Sequence, residues 1–212
     1  MAGDKEIQVA QATMGLAGHP ALELLNTRAE LTQGVVTDLI SDGSRYVEWL
    51  ARVGLVAAGD VAAVRTRFTE QDLERAVEAA QDLRTRTLPV VDAWISGVPL
   101  SDAMAAHLNG FIRTGGAYRE VTRSATGPVF VERTVWSDWR SLVAPVAAAV
   151  ADLTLDGNPD LVHQCIGETC NLWFYDRTKS HRRKWCSMST CGNRTKVRAH
   201  RARAADQADS TG

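Results

Sequence analysis

Cysteine is scarce in this 212-residue chain and confined to one place: there are four, all between residues 165 and 191. Long apolar runs are missing as well. The longest, Leu142 to Ala151, is interrupted by Pro145 and is far short of the ~20 residues that a membrane span needs. Asp4 and Glu6 precede any apolar run, which is not the pattern of a secretory signal, so a cytoplasmic location without membrane attachment is expected. Gly-x-x-x-x-Gly-Lys, Gly-x-Gly-x-x-Gly, Gly-x-Ser-x-Gly and His-Glu-x-x-His patterns are absent, as are internal repeats, and no enzymatic activity is expected. Acids are missing from one stretch, with none between Gly192 and Ala205.

What is present is an ordinary globular composition, 45% hydrophobic and 23% charged, with an uneven distribution of charge. Residues 163 to 212 hold ten Lys/Arg against four Asp/Glu, whereas the remainder holds fourteen against twenty-one. An acidic body with a basic C-terminal module directs only the module towards a polyanion.

The body reads as mainly α. Pro20 opens a short helix to about Arg28, a loop contains Gly34, and Ser44 to Leu55 places Tyr46, Val47, Trp49 and Leu50 at helical spacing. Thr69 caps a long amphipathic helix running towards Trp94, which Pro89 should bend or split. Ser101 and Asp102 cap another, to Ile112, and Ser137 and Asp138 cap a last one to about Leu153, with a bend expected at Pro145. One β-hairpin, Tyr118–Arg123 with Val129–Val135, interrupts the helices. The turn Asp156–Pro159 sets the expected boundary: a helical sensor or dimerisation domain over 1–158, a finger over 159–205 and a disordered tail over 206–212.

Cys165, Cys170, Cys186 and Cys191 form two Cys-x4-Cys pairs about fifteen residues apart. In a reducing compartment this pattern favours one Zn²⁺ over disulfides, and four sulfurs fill a tetrahedral shell, so the ion is structural. Free buried thiols or a redox pair are the alternatives, and His163, His181 and His200 are conceivable substitute ligands. Leu172–Tyr175 and Arg182–Trp185 read as a hairpin, giving the knuckle, hairpin, knuckle and helix of a treble clef. In a helix starting near Cys191, Arg194, Arg198 and Arg201 share a face, Lys196 and Arg203 another, and Val197, His200 and Ala204 form a seam that could pack on the zinc core. With Arg182, Arg183 and Lys184 these cations suit a nucleic-acid backbone.

The segment Phe174-Tyr175-Asp176-Arg177, with Arg183–Met188 and Cys191-Gly192-Asn193-Arg194-Thr195-Lys196-Val197-Arg198, resembles the CGNR zinc finger. Leu25-Asn26-Thr27, Leu83-Arg84 and Leu108-Asn109 are similar to motifs of the ABATE domain that usually precedes it. The resemblance implies a bacterial, stress-linked transcription regulator, with the four cysteines as zinc ligands and Arg194, Lys196 and Arg198 as contacts to double-stranded DNA. One departure is Asn171, where the family would have glycine. Asn193 is expected to brace the knuckle from behind, and Gly192 to let backbone N–H groups reach sulfur. Asn26, Arg84 and Asn109 are candidates for a pocket taking a small-molecule effector, although buried polar groups more often brace helices. A homodimer is expected, because one finger buries little surface. Two rival readings are an RNA-binding zinc ribbon, which exposed Trp173 and Tyr175 would favour, and a zinc module docking an acidic protein.

Overall fold

The computed structural model describes residues 14–32, 35–198 and 201. Arg203, His200 and Ala204, and the expected tail over 206–212, lie outside these residues.

The chain divides into two compact units. The second, Leu39–Pro159, is continuous; the first combines the N-terminal 38 residues with Asp160–Gly212. The break at Pro159 falls at the turn read from the sequence, but the N-terminal segment belongs with the cysteine-bearing segment.

Helices dominate the second unit. Asp42 caps α2 (Gly43–Arg52), its carboxylate accepting from the Arg45 N–H at 2.9 Å, and Tyr46, Val47, Trp49 and Leu50 are buried. A short helix, α3 (Val61–Arg67), leads to α4 (Glu70–Ile95). Thr69 and Asp72 close a reciprocal capping box at the start of α4. Pro89 neither splits nor ends this 26-residue helix: its ring is exposed, and the buried stripe Ala76, Val77, Ala80, Leu83, Thr87, Val91 and Trp94 runs past it. Ser101 caps α5 (Asp102–Ile112).

The expected hairpin forms as β3 (Ala117–Ser124) and β4 (Gly127–Thr134), paired in register from Ala117↔Thr134 to Ser124↔Gly127. Asp138 caps a single 3₁₀ turn, Trp139–Leu142, and the true helix, α6 (Ala144–Asp156), starts two residues later. Pro145 therefore sits in the first turn, where its missing N–H costs nothing, and makes no bend. Tyr46 joins the helices by donating to the Leu142 carbonyl at 3.0 Å.

In the first unit, α1 (Pro20–Asn26) stops earlier than expected, and the next residues form β1 (Arg28–Thr32) and β2 (Val35–Asp38), a hairpin where the sequence read as helix end and loop. A third small antiparallel sheet pairs β5 (Val162–Gln164) with β6 (Trp173–Tyr175). The fold is thus mainly α with small hairpins. Among the described residues no helix is long and apolar enough to cross a membrane.

Candidate metal centre and nucleic-acid interface

The sheet β5–β6 sets the first cysteine pair. Cys165 follows β5 directly, and its N–H donates to the Leu172 carbonyl at 2.8 Å. That bond closes the loop bearing Cys170. The Gly167 N–H points at Cys165 Sγ from 3.4 Å. This is the role expected of Gly192, whose N–H is instead taken by the Ser187 carbonyl. Of the second pair, Cys186 precedes and Cys191 lies within one wide helical turn, Met188–Gly192, and the final helix, residues 193–198, leaves it without a break.

The four sulfurs lie within 4.8 Å of one another. Cys170 and Cys186 are 3.7 Å apart and Cys186 and Cys191 3.6 Å, all four cysteines are free thiols, and among the described residues no carboxylate or imidazole joins the group. Sulfurs at the corners of a tetrahedron around zinc, with Zn–S of ~2.3 Å, would be about 3.8 Å apart. His163 and His181 are outside the cluster.

The electrostatics agree. Contacts with the Cys170 and Cys186 thiols draw Cys191 down to about 2. Cys170 is drawn down by Cys186 but pushed up more by the Cys191 sulfur and by burial, to about 12. Cys186 is raised, first by the thiol of Cys170. A divalent cation at the centre of the cluster would offset what holds the Cys170 and Cys186 thiols up. The site fits one zinc ion held by Cys165, Cys170, Cys186 and Cys191. Zinc with four thiolates supplies charge and a fixed geometry and has no open position.

Beneath the sulfurs, Leu172, Phe174 and Ala29 form a buried cluster with Cys165, Cys186 and Cys191, and Trp185 and Cys170 pack against it. Trp173 is buried as well. Asp176 is fully buried and organises the next turn: its carboxylate accepts from the Thr178 N–H, the Thr178 hydroxyl and the Arg183 N–H, at 2.9, 2.7 and 2.8 Å. Burial pushes the carboxyl up, but these hydrogen bonds outweigh it and leave it below the ordinary value. The segment 182–185 forms no strand; it meets the first knuckle through the Ile166 N–H, which donates to the Lys184 carbonyl at 3.1 Å. β6 therefore takes its hairpin partner from β5, ahead of the knuckle, and not from 182–185.

Eight cations were expected to face nucleic acid, and the structure separates them. Arg182, Lys184, Arg194, Lys196, Arg198 and Arg201 are exposed. Arg183 is not available: its guanidinium lies 4.3 Å over the Phe174 ring and donates to the carbonyls of Trp185, Leu16 and Cys186. It is a clamp within the finger, a role hidden from sequence because Arg182 and Arg183 read alike. Val197 is exposed and forms no seam on the zinc core. Asn193 does reach back to the knuckle, donating to the Ser189 carbonyl at 3.3 Å.

The expected effector pocket does not survive at Asn26, both ends of whose carboxamide are taken by the Trp173 backbone. Arg84 and Asn109 belong to the other unit, Arg84 buried on α4 and Asn109 exposed on α5.

With this geometry in place, the class is a structural zinc finger: residues 162–204 match the family model of the CGNR zinc finger. Residues 18–157 match the ABATE model, described as "Putative stress-induced transcription regulator", and the chain belongs to that family. A comparison with curated proteins finds no match. The sequence match of the ABATE domain begins inside the segment that packs with the finger, so sequence families and structural units divide the chain differently.

Proposed function

We propose that the protein regulates transcription by binding double-stranded DNA through the face of its zinc finger that carries the final helix. The observation that carries this reading is the set of exposed cations Arg194, Lys196, Arg198 and Arg201, together with Arg182 and Lys184. Between residues 161 and 205 there are only two acids, and one, Asp176, is fully buried and bound to backbone. Arginine on such a helix can hold phosphate or guanine with two hydrogen bonds, while the lysines act as point charges.

Duplex is favoured over single strands by where the aromatics lie. An RNA or single-strand platform needs exposed rings, but Trp173 and Phe174 are core, and Tyr175 is half-buried between His19 and Arg177. No reaction is assigned to the chain, since four thiolates leave zinc no position for water. The helical unit is assigned to sensing or pairing of copies, on the order of the domains along the chain alone.

Selection of duplexes from random DNA by the zinc-loaded protein, followed by titration over a salt series, tests the reading. Affinity should fall steeply with salt, by a slope of about −0.9 per phosphate contacted. A curve indifferent to salt, or equal binding of an acidic polypeptide, would set it aside.

A further inference from the structure

Beside the metal centre a cleft of ≈ 240 Å³ opens between the first knuckle and the final helix. Its walls are Ile166, Gly167, Glu168, Thr169 and Cys170 on one side, and Cys191, Arg194, Thr195 and Arg198 on the other. Arg194 and Arg198 are one helical turn apart and enter the cleft together. Glu168 forms an ion pair with Arg198 there.

Glu168 is the only exposed acid between residues 161 and 205. It stands at the tip of a knuckle, where solvent is open on most sides, and yet its carboxylate meets a guanidinium on the helix assigned to nucleic acid. A carboxylate and a phosphodiester offer arginine the same thing, paired anionic oxygens at hydrogen-bonding distance. The side chains are 70% and 67% exposed, so the pair contributes little to stability and can be exchanged.

We propose that this cleft is the seat of one backbone phosphate, and that Glu168 occupies it in the free protein as an internal substitute. Binding then exchanges carboxylate for phosphate at Arg198, with Arg194 as the second cation of the seat. Glu168 sets affinity and salt dependence without touching a base. This rests on the nucleic-acid reading above, and it adds a competitor carried by the protein itself.

The test is a double-mutant cycle in the full-length zinc-loaded protein, with one generic duplex and one selected duplex as probes. Zinc content and circular dichroism establish that each variant is folded. Glu168→Gln should tighten binding about three- to tenfold at 0.1 M salt, and should steepen the salt slope by about one phosphate's share. In an Arg198→Ala background the same substitution should change affinity less than about twofold, because the exchange partner is gone. An equal gain in both backgrounds would reduce Glu168 to a diffuse negative charge and overturn the seat. Weakened binding confined to the selected duplex would make Glu168 a reader of bases and overturn it too. No change in the slope, with wild-type protein binding well, would remove the seat and leave the nucleic-acid reading intact. If neither protein binds any duplex, that reading fails and the seat fails with it.

Discussion

Asn26 and Trp173, 147 residues apart in the chain, exchange two hydrogen bonds: the Asn26 amide donates to the Trp173 carbonyl at 2.8 Å, and the Trp173 N–H donates to Asn26 Oδ1 at 2.7 Å. The carboxamide thereby acts as a peptide group placed beside β6. Two residues on, the Tyr175 N–H donates to the Ala17 carbonyl at 2.7 Å. Phe174 pairs with His163 of β5, and the Asp176 N–H turns to the Leu161 carbonyl, so β6 has β5 on one edge and the N-terminal segment on the other. Ala29 adds its methyl to the cluster under the sulfurs. The finger of this protein is built from both ends of the chain.

Replacing Asn26 by alanine strands a buried N–H and a buried C=O of Trp173, each costing about 1–3 kcal/mol. A loss of about 2–4 kcal/mol is expected by chemical denaturation, with faster transfer of zinc to a colorimetric chelator. A peptide of residues 160–212 should bind zinc more weakly than the full chain and regain affinity when residues 14–38 are supplied in trans. Equal zinc affinity for the peptide alone would show that the N-terminal segment is dispensable.

Much of this was readable from sequence where one local rule decides the outcome. Thiol spacing located the metal centre, and the caps at Thr69 and Ser101 fixed their helices because each needs only a hydroxyl and an N–H three residues on. Long-range matters were not readable. Nothing near Asn26 in the sequence announces a strand partner 147 residues away, and Arg183 differs from Arg182 only in what folds around it. Pro145 and Pro89 show the same limit: whether proline bends, starts or merely decorates a helix depends on which turn it occupies and which side faces water.

Glu23 supplies a pH signature. It is buried at the start of α1, and burial raises its pKa, although the Ala17 and Gly15 N–H groups lower it in part. A carboxyl raised in the folded state favours folding most when protonated. Its contribution is full below the unfolded value of ~4.3 and is lost as pH rises through the folded value. Glu23→Gln keeps an acceptor for the Ala17 N–H and removes the charge. Stability of wild type relative to this variant should therefore fall as pH rises from that of the unfolded carboxyl towards neutrality. Comparing the two zinc-loaded proteins at each pH cancels proton competition for the thiolates, and parallel curves would refute the assignment.

Arg182 and Arg183 should part company on mutation. Arg182→Ala and Lys184→Ala leave exposed sites and should change stability by less than about 0.5 kcal/mol, while each removes about one phosphate's share of the salt slope for duplex. Arg183→Lys keeps the charge but cannot serve three carbonyls and the Phe174 face, so about 2–3 kcal/mol of folding stability should go. Melting curves and anisotropy titrations together separate the two outcomes; a stable Arg183→Lys variant with weakened duplex binding would return Arg183 to the interface.

Gly167 and Gly192 stand at the two knuckles, and only one should resist a methyl group. A Cβ on Gly192 would fall 2.3 Å from Met188 Sδ, but that sulfur belongs to a flexible side chain that is half exposed and can swing away. A Cβ on Gly167 would meet Cys170 Cβ at 3.3 Å, with Cys165 Sγ and Cys191 Cβ both at 3.4 Å. Those neighbours belong to the ligands, so relief there means moving sulfur relative to the ion, and the N–H that supports Cys165 moves too. Displaced supports of this kind typically weaken metal binding about 10- to 100-fold. Gly167→Ala should lose zinc affinity on that scale in competition with a chelator, whereas Gly192→Ala should stay within about threefold; the reverse ranking would place the tighter knuckle at Cys186–Cys191.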